Sequence, residues 1–241
     1  MANAARGEIN DSAILSVEAR QISKRFGAQT IIRDLSLSFN AGDVVLLLGA
    51  NGAGKSTLLR ILAGVARPDR GKVLVTNGCR VGFAGYYTAL YSKLSLEQNL
   101  AIYAKLMAFR DRSSAEDLLR AALREWGLED LRDRAVSDVS RGAQSKASLA
   151  RALMGNPQML LLDEPSSNLD ERATETLRSI VTEKSRANGI TIIATHDLAR
   201  LRDVATRVVV MERGSVVADS GQGGELRDLN ETIETYRKGN R

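Results

Sequence analysis

The chain has 241 residues, 44% hydrophobic and 26% charged, ordinary globular values that exclude a disordered or collagen-like protein. A formal charge of +5 suits anionic partners of any kind and selects none, and only 4% aromatics means a core of Leu, Val, Ile and Ala. The single cysteine, Cys79, excludes an internal disulfide and favours a reducing compartment.

Residues 1–12 are polar, carry no apolar signal region and are expected to form a loose tail before a single domain over residues 13–241. Alternating patterns predict strands over residues 14–19, 30–35 and 37–39, with turns at Gly27 and at Ala41-Gly42. Residues 44–48 are a continuous apolar run, as expected of a strand buried on both faces. A glycine-rich loop follows, then a helix carrying Leu58, Leu59, Ile61 and Leu62 and closed by Gly64. Short strands are predicted over 72–76 and 80–84.

The pattern then becomes helical. Ser95-x-x-Gln98 is a capping box, and helical spacing runs through Leu100, Tyr103, Ala104 and Met107 and again from Leu118 to Trp126. We read residues 87–140 as an all-helical insert in an α/β core. Helix and strand alternate afterwards: helix 143–154, strand 159–162, helix 172–186, strand 190–195. A hairpin of 208–211 with 216–218 turns at Arg213-Gly214. Leu226, Leu229, Ile233 and Tyr236 predict a last helix over about 223–238. No apolar run exceeds strand length, so a membrane role would take its spanning helices from another chain.

Three motifs carry chemistry. Gly49-Ala50-Asn51-Gly52-Ala53-Gly54-Lys55-Ser56 fits G-x-x-x-x-G-K-[ST], in which backbone amides and a helix N-terminus cradle phosphates. Lys55 would reach the β- and γ-phosphates and Ser56 would hold Mg²⁺. The loop alone does not separate a GTPase, a kinase and a transporter ATPase. Residues 159–164 form an apolar strand ending in Asp163 and Glu164, at the strand end where α/β sheets bind ligands. Asp163 would hold Mg²⁺, and Glu164 would orient or deprotonate the attacking water. His196 is the only histidine. A lone histidine is more often structural, but this one follows the strand 190–195, where it can sense a γ-phosphate.

With these residues in hand, residues 14–221 resemble the nucleotide-binding subunits of ABC transporters. Residues 49–57, closing on Thr57, look like Walker A, and 159–164 look like Walker B with its catalytic glutamate. Asp170, in Ser167-Asn168-Leu169-Asp170, resembles the D-loop residue, His196 the switch histidine, and Phe26 the aromatic that stacks on adenine. Ser140, Arg141, Gly142 and Ala143, after Val139 and before Gln144, resemble the LSGGQ signature, with Arg141 and Ala143 departing from it. Tyr86 stands where the family usually has the Q-loop glutamine, and a phenol is a poor substitute for an amide on Mg²⁺. Residues 85–100 and Ser140-Arg141-Gly142 are similar to the haem-exporter ATPase of cytochrome c maturation. That branch typically has histidine at position 86, and drug- or polysaccharide-exporting relatives share much of the pattern.

The resemblance implies a P-loop NTPase of the RecA-like α/β class, with an N-terminal antiparallel β subdomain and an inserted helical subdomain. It also implies ATP and Mg²⁺ as ligands, and a homodimer in which residues 140–143 act on the partner's nucleotide. Integral membrane permease subunits would be the other partners, placing the chain in the cytoplasm on the inner face of the membrane. No nucleic-acid partner is expected, because the tandem cassettes of translation factors and the long coiled coils of DNA-repair members are absent from the sequence. A low-turnover regulatory role is the remaining alternative, motivated by Tyr86.

Overall fold

The computed structural model describes residues 14–76, 78–196, 198–221 and 230–234. Strands β1 (Ser16–Phe26) and β2 (Gln29–Asn40) pair antiparallel, and β3 (Val44–Leu48) enters the main sheet. Helix α1 (Lys55–Leu62) follows, then β4 (Arg70–Val75) and β5 (Val81–Ala84). Helices α2 (Leu96–Asp111), α3 (Ala115–Glu125) and α4 (Arg141–Leu153) come next. The chain continues with β6 (Met159–Asp163), α5 (Glu171–Arg186), β7 (Ile190–Ala194) and the hairpin β8 (Arg207–Glu212) with β9 (Ser215–Asp219).

A small antiparallel sheet has the order β2-β1-β4, and the main sheet has the order β5-β6-β7-β3-β8-β9. In the main sheet only β9 runs antiparallel. Side chains alternate along a strand, so both faces of β3 must be covered to explain its five apolar residues. Val44, Leu46 and Leu48 face the core shared with α2 to α5, whereas Val45 and Leu47 face α1 and the small sheet. Leu58 and Leu59 of α1 are fully buried in that second core, worth about 1.5–3 kcal/mol each.

The structure corrects several sequence expectations. Residues 30–35 and 37–39 belong to one strand, β2; it pairs with β1 through register shifts, and Gln21 and Asp34 have φ of 49° and 42°. The bulged register, with Gln21 N–H donating to Ser36 Oγ at 2.9 Å, breaks the alternation that made one strand look like two. Helix α4 starts at Arg141 rather than 143, because Ser140 caps it. The capping box at Ser95 and Gln98 forms as expected. The β8–β9 turn has positive φ at both Arg213 and Gly214, the type I′ pattern that fits the strand twist. The tail 1–12 lies outside the described residues, as do Leu226, Leu229 and Tyr236. Within the expected last helix, residues 230–234 are helical and Ile233 is buried.

Arg207 ties the sheet's far edge together. Its guanidinium donates to both carboxylate oxygens of Asp219, at 2.8 and 2.6 Å, and to Ser38 O at 2.7 Å. Asp43 lies 3.7 Å away, and the Phe39 ring lies under the charge. Burial alone would raise the Asp219 carboxyl, but Arg207 and the Gly221 amide together hold it below its usual range. Removing one partner of a buried ion cluster leaves the rest uncompensated. We therefore expect Arg207→Ala to lose about 3–5 kcal/mol of unfolding free energy at neutral pH. Because the Asp219 carboxyl is depressed in the fold, its contribution is lost as pH falls through that depressed value, so the gap to wild type should narrow in acid. Urea unfolding at both pH values checks this, and a neutral-pH loss below about 1 kcal/mol would contradict it.

Candidate active site

The loop between β3 and α1 is shaped by close backbone approach. Gly49 has φ of 150°, and a Cβ there would lie 2.3 Å from Met211 O, so no other residue fits. The loop turns back on itself, and Lys55 Nζ donates to Gly49 O at 2.7 Å and to Ala50 O at 3.2 Å. Lys55 is buried, which pushes its ammonium pKa down, while Glu164 and Asp163 pull it back up.

Strand β6 delivers the acids to the same place. Asp163 is buried, which raises its carboxyl; the Ser56 hydroxyl bond opposes this, the Glu164 charge adds to it, and the Tyr86 amide opposes it again. Its Oδ2 is buried without a hydrogen-bond partner among the described residues. A hydroxyl and a carboxylate with a free buried oxygen form a hard, all-oxygen donor set, which fits Mg²⁺. No group of three or more His, Cys, Asp or Glu among the described residues forms a metal cage.

Glu164 sits at the end of β6 with φ of 52°, an uncommon conformation held by its own N–H donating to Ala194 O at 2.8 Å. Its Oε2 lies 2.9 Å from His196 Nδ1 and 3.4 Å from Thr195 Oγ1, so the end of β7 aims the carboxylate. The His196 ring itself is largely open to solvent.

These groups share one cleft of about 530 Å³. Its walls include Phe26, Tyr86, Asp163, Glu164 and His196, together with Asn51, Gly52, Ala53, Gly54, Lys55, Ser56 and Thr57 of the loop. Phe26 is 57% exposed, and Lys24 Nζ lies 5.6 Å from its ring centroid, so one face of an aromatic is presented at the mouth. Tyr86 is 60% exposed, and its ring packs edge-on against Tyr87 at 5.3 Å.

Two predicted elements stay out of the cleft. Ser140 Oγ accepts from Ala143 N–H at 3.2 Å and caps α4; Arg141 is exposed, and Gly142 packs close to Asn168 O. None of residues 140–143 lines the cleft of its own chain. Asp170 caps α5 through Ala173 N–H at 2.8 Å and pairs with Lys146 at 2.7 Å; the Lys146 bond and then that amide hold its carboxyl low. Sequence reasoning missed the Lys146 pairing, Thr195 behind Glu164, and Arg200, whose guanidinium bonds the turn after β6. The only local signal was their closeness in sequence to His196 and to the signature.

The loop geometry yields a direct test. Gly64 also has positive φ (72°) but open space around it, so Gly64→Ala should cost about 1–2 kcal/mol for backbone conformation alone. Gly49→Ala adds a clash with Met211 O and should cost more, on the order of 3 kcal/mol or above. Equal losses in thermal unfolding would contradict the close approach.

Comparison with known proteins matches this geometry. The family described as "ABC transporter" matches residues 32–167. The sulfate/thiosulfate import ATP-binding protein CysA of Synechococcus elongatus is 34% identical over 90% of this chain and 65% of its own. The Fe(3+) ions import ATP-binding protein FbpC of Escherichia coli K12 is 34% identical over 88% of this chain and 63% of its own. The chain thus spans just under two thirds of the length of these relatives. Among solved structures, a dimeric ATP-binding cassette in a post-hydrolysis state with ADP and Pi superposes with a TM-score of 0.77 at 22% identity, over 87% of this chain and all of that one. A nucleotide-free ATP-binding cassette from an ABC transporter gives 0.69 at 26% identity, over 92% of this chain and 96% of the other. With the glycine-rich loop, the acid pair and His196 meeting in one cleft, the chain belongs to the ABC transporter family as one of its ATP-binding cassettes.

Proposed function

We propose that this chain is the ATP-hydrolysing subunit of an ABC transporter whose membrane-spanning parts are other chains. The observation that carries this is the convergence of Lys55, Asp163, Glu164 and His196 on one cleft, with Glu164 Oε2 held 2.9 Å from His196 Nδ1. Phe26 stacks on the adenine, and the amides of residues 49–57 with Lys55 hold the phosphates. Ser56 and Asp163 are the residues that would hold Mg²⁺, which, when bound, neutralises phosphate charge. Glu164 takes a proton as a water oxygen attacks the γ-phosphorus; the bond from γ-phosphorus to the bridging oxygen breaks, leaving ADP and phosphate. His196 contacts the γ-phosphate and keeps Glu164 aimed.

A second copy completes the site. Ser140, Arg141, Gly142 and Ala143 lie outside their own cleft, in keeping with action on the partner's nucleotide in a two-fold dimer. A cassette of the same fold has been solved as a dimer. No helix among the described residues is long and apolar enough to cross a membrane. Permease subunits would supply the path, and the cassette would sit on the cytoplasmic face, where ATP is available. Haem export is the finer reading favoured by residues 85–100 and Ser140-Arg141-Gly142, whereas the relatives above are named for import of sulfate/thiosulfate and Fe(3+) ions.

The low-turnover regulatory reading draws on one observation, that the Tyr86 side chain is mostly solvent-exposed at the position of the usual glutamine. Glu164→Gln decides between the two. It should lose about 10²–10⁴-fold in ATP turnover while keeping ATP binding and accumulating ATP-bound dimers. Equal, slow rates in variant and wild type would favour the regulatory reading. Tyr86→Phe should leave turnover unchanged, because the substitution removes only the hydroxyl of a mostly exposed side chain at the cleft wall.

A further inference from the structure

We propose that Arg200 is a positioning residue that locks the turn formed by residues 166–170 to the loop carrying His196, so that the two move as one unit in the nucleotide cycle. The inference rests on the ATPase reading above and deepens it.

The turn is built on Glu164. Ser167 donates to Glu164 O through both its N–H (3.3 Å) and its hydroxyl (3.0 Å), and Leu169 N–H donates to Ser166 O at 3.3 Å. Asp170 then caps α5. From the neighbouring strand's end, the loop after β7 grips this segment at two places. Thr195 and His196 hold the Glu164 carboxylate. Arg200 Nη1 donates to Ser166 O at 3.2 Å, Leu169 O at 2.9 Å and Thr174 Oγ1 at 3.3 Å. These acceptors are two carbonyls of the turn and a hydroxyl in the first turn of α5, so the half-buried Arg200 reaches both the turn and the helix that follows it. All three contacts come from one terminal nitrogen, whose two hydrogens are shared among the three acceptors, so a single amino group ties both carbonyls and the hydroxyl together.

The turn also reaches the other functional segment. Ser167 and Asn168 are exposed on its outer side, and a Cβ at Gly142 would lie 3.0 Å from Asn168 O. Asp170 pairs with Lys146 on the helix that Ser140 caps. A shift of the His196 loop toward or away from the γ-phosphate is thereby passed, through Arg200, to the turn that borders residues 140–143.

The test is Arg200→Met, which keeps the aliphatic stem and removes the donors, with Arg200→Lys as the rescue. Steady-state turnover of Mg-ATP, equilibrium ATP binding and amide exchange over residues 166–170 are read together. Arg200→Met should lose about 10²-fold in kcat with KM and Kd for ATP near wild type, and exchange in the turn should speed up. Arg200→Lys should recover part of the rate. Wild-type kcat in Arg200→Met, or a loss matched by equal loss of ATP binding or of folded protein, overturns the proposal. Should Arg200→Met not fold, Arg200→Gln, shorter and uncharged, is read in the same way. A wild-type chain without ATP turnover would sink the ATPase reading itself; a wild-type chain that turns over beside an equally fast Arg200→Met sinks only this inference.

Discussion

Three neighbouring parallel strands, buried on both faces, set the geometry on which the rest depends. Ala194 of β7 pairs with Leu47 of β3 on one side and with Asp163 of β6 on the other. The three chains therefore leave the sheet at one level. Gly49 follows Leu47 by two residues, Glu164 follows Asp163 by one, and His196 follows Ala194 by two, so phosphate loop, acid and histidine emerge side by side. A shift of one residue in any pairing would turn every buried side chain of that strand to the wrong core and move its loop along the edge. The two apolar layers that fix the register thus fix the chemistry as well.

The site concentrates charges that burial disfavours. Burial pushes the Asp163 carboxyl up and the Lys55 ammonium down, and each is partly restored by its neighbours. Glu164 adds a left-handed backbone conformation. Such features persist only where surrounding structure over-determines them. Here the β6–β7 ladder and the bonds from Thr195 and His196 do so. The far edge shows the contrasting case, where Arg207 has Asp219, Asp43 and Ser38 around it and the charge is fully met. An acid with an unmatched buried oxygen beside a phosphate loop is arranged for a ligand, whereas the Arg207 cluster is arranged for stability.

Much of this was legible in the sequence because it is local. The phosphate loop is one contiguous segment, the acid pair ends an apolar run, and His196 ends another. Continuous apolar runs such as residues 44–48 mark strands buried on both faces. Contacts between distant segments were not legible. Lys146 on Asp170 and Arg200 on Leu169 join residues far apart in sequence, and no periodicity marks them. The bulges of β1 and β2 were missed because one extra residue breaks the alternation a strand is recognised by. Tyr86 stands where a metal-contacting glutamine was expected, and there it lines the cleft with a mostly exposed side chain.

The central claim is that the working unit is two copies, each lending residues 140–143 to the other's nucleotide. Its most direct measurement is specific ATPase activity as a function of protein concentration at saturating Mg-ATP. A site completed in trans predicts specific activity that rises with concentration and then saturates as dimers fill. A specific activity independent of concentration, down to dilutions at which the protein sediments as a monomer, would contradict the account.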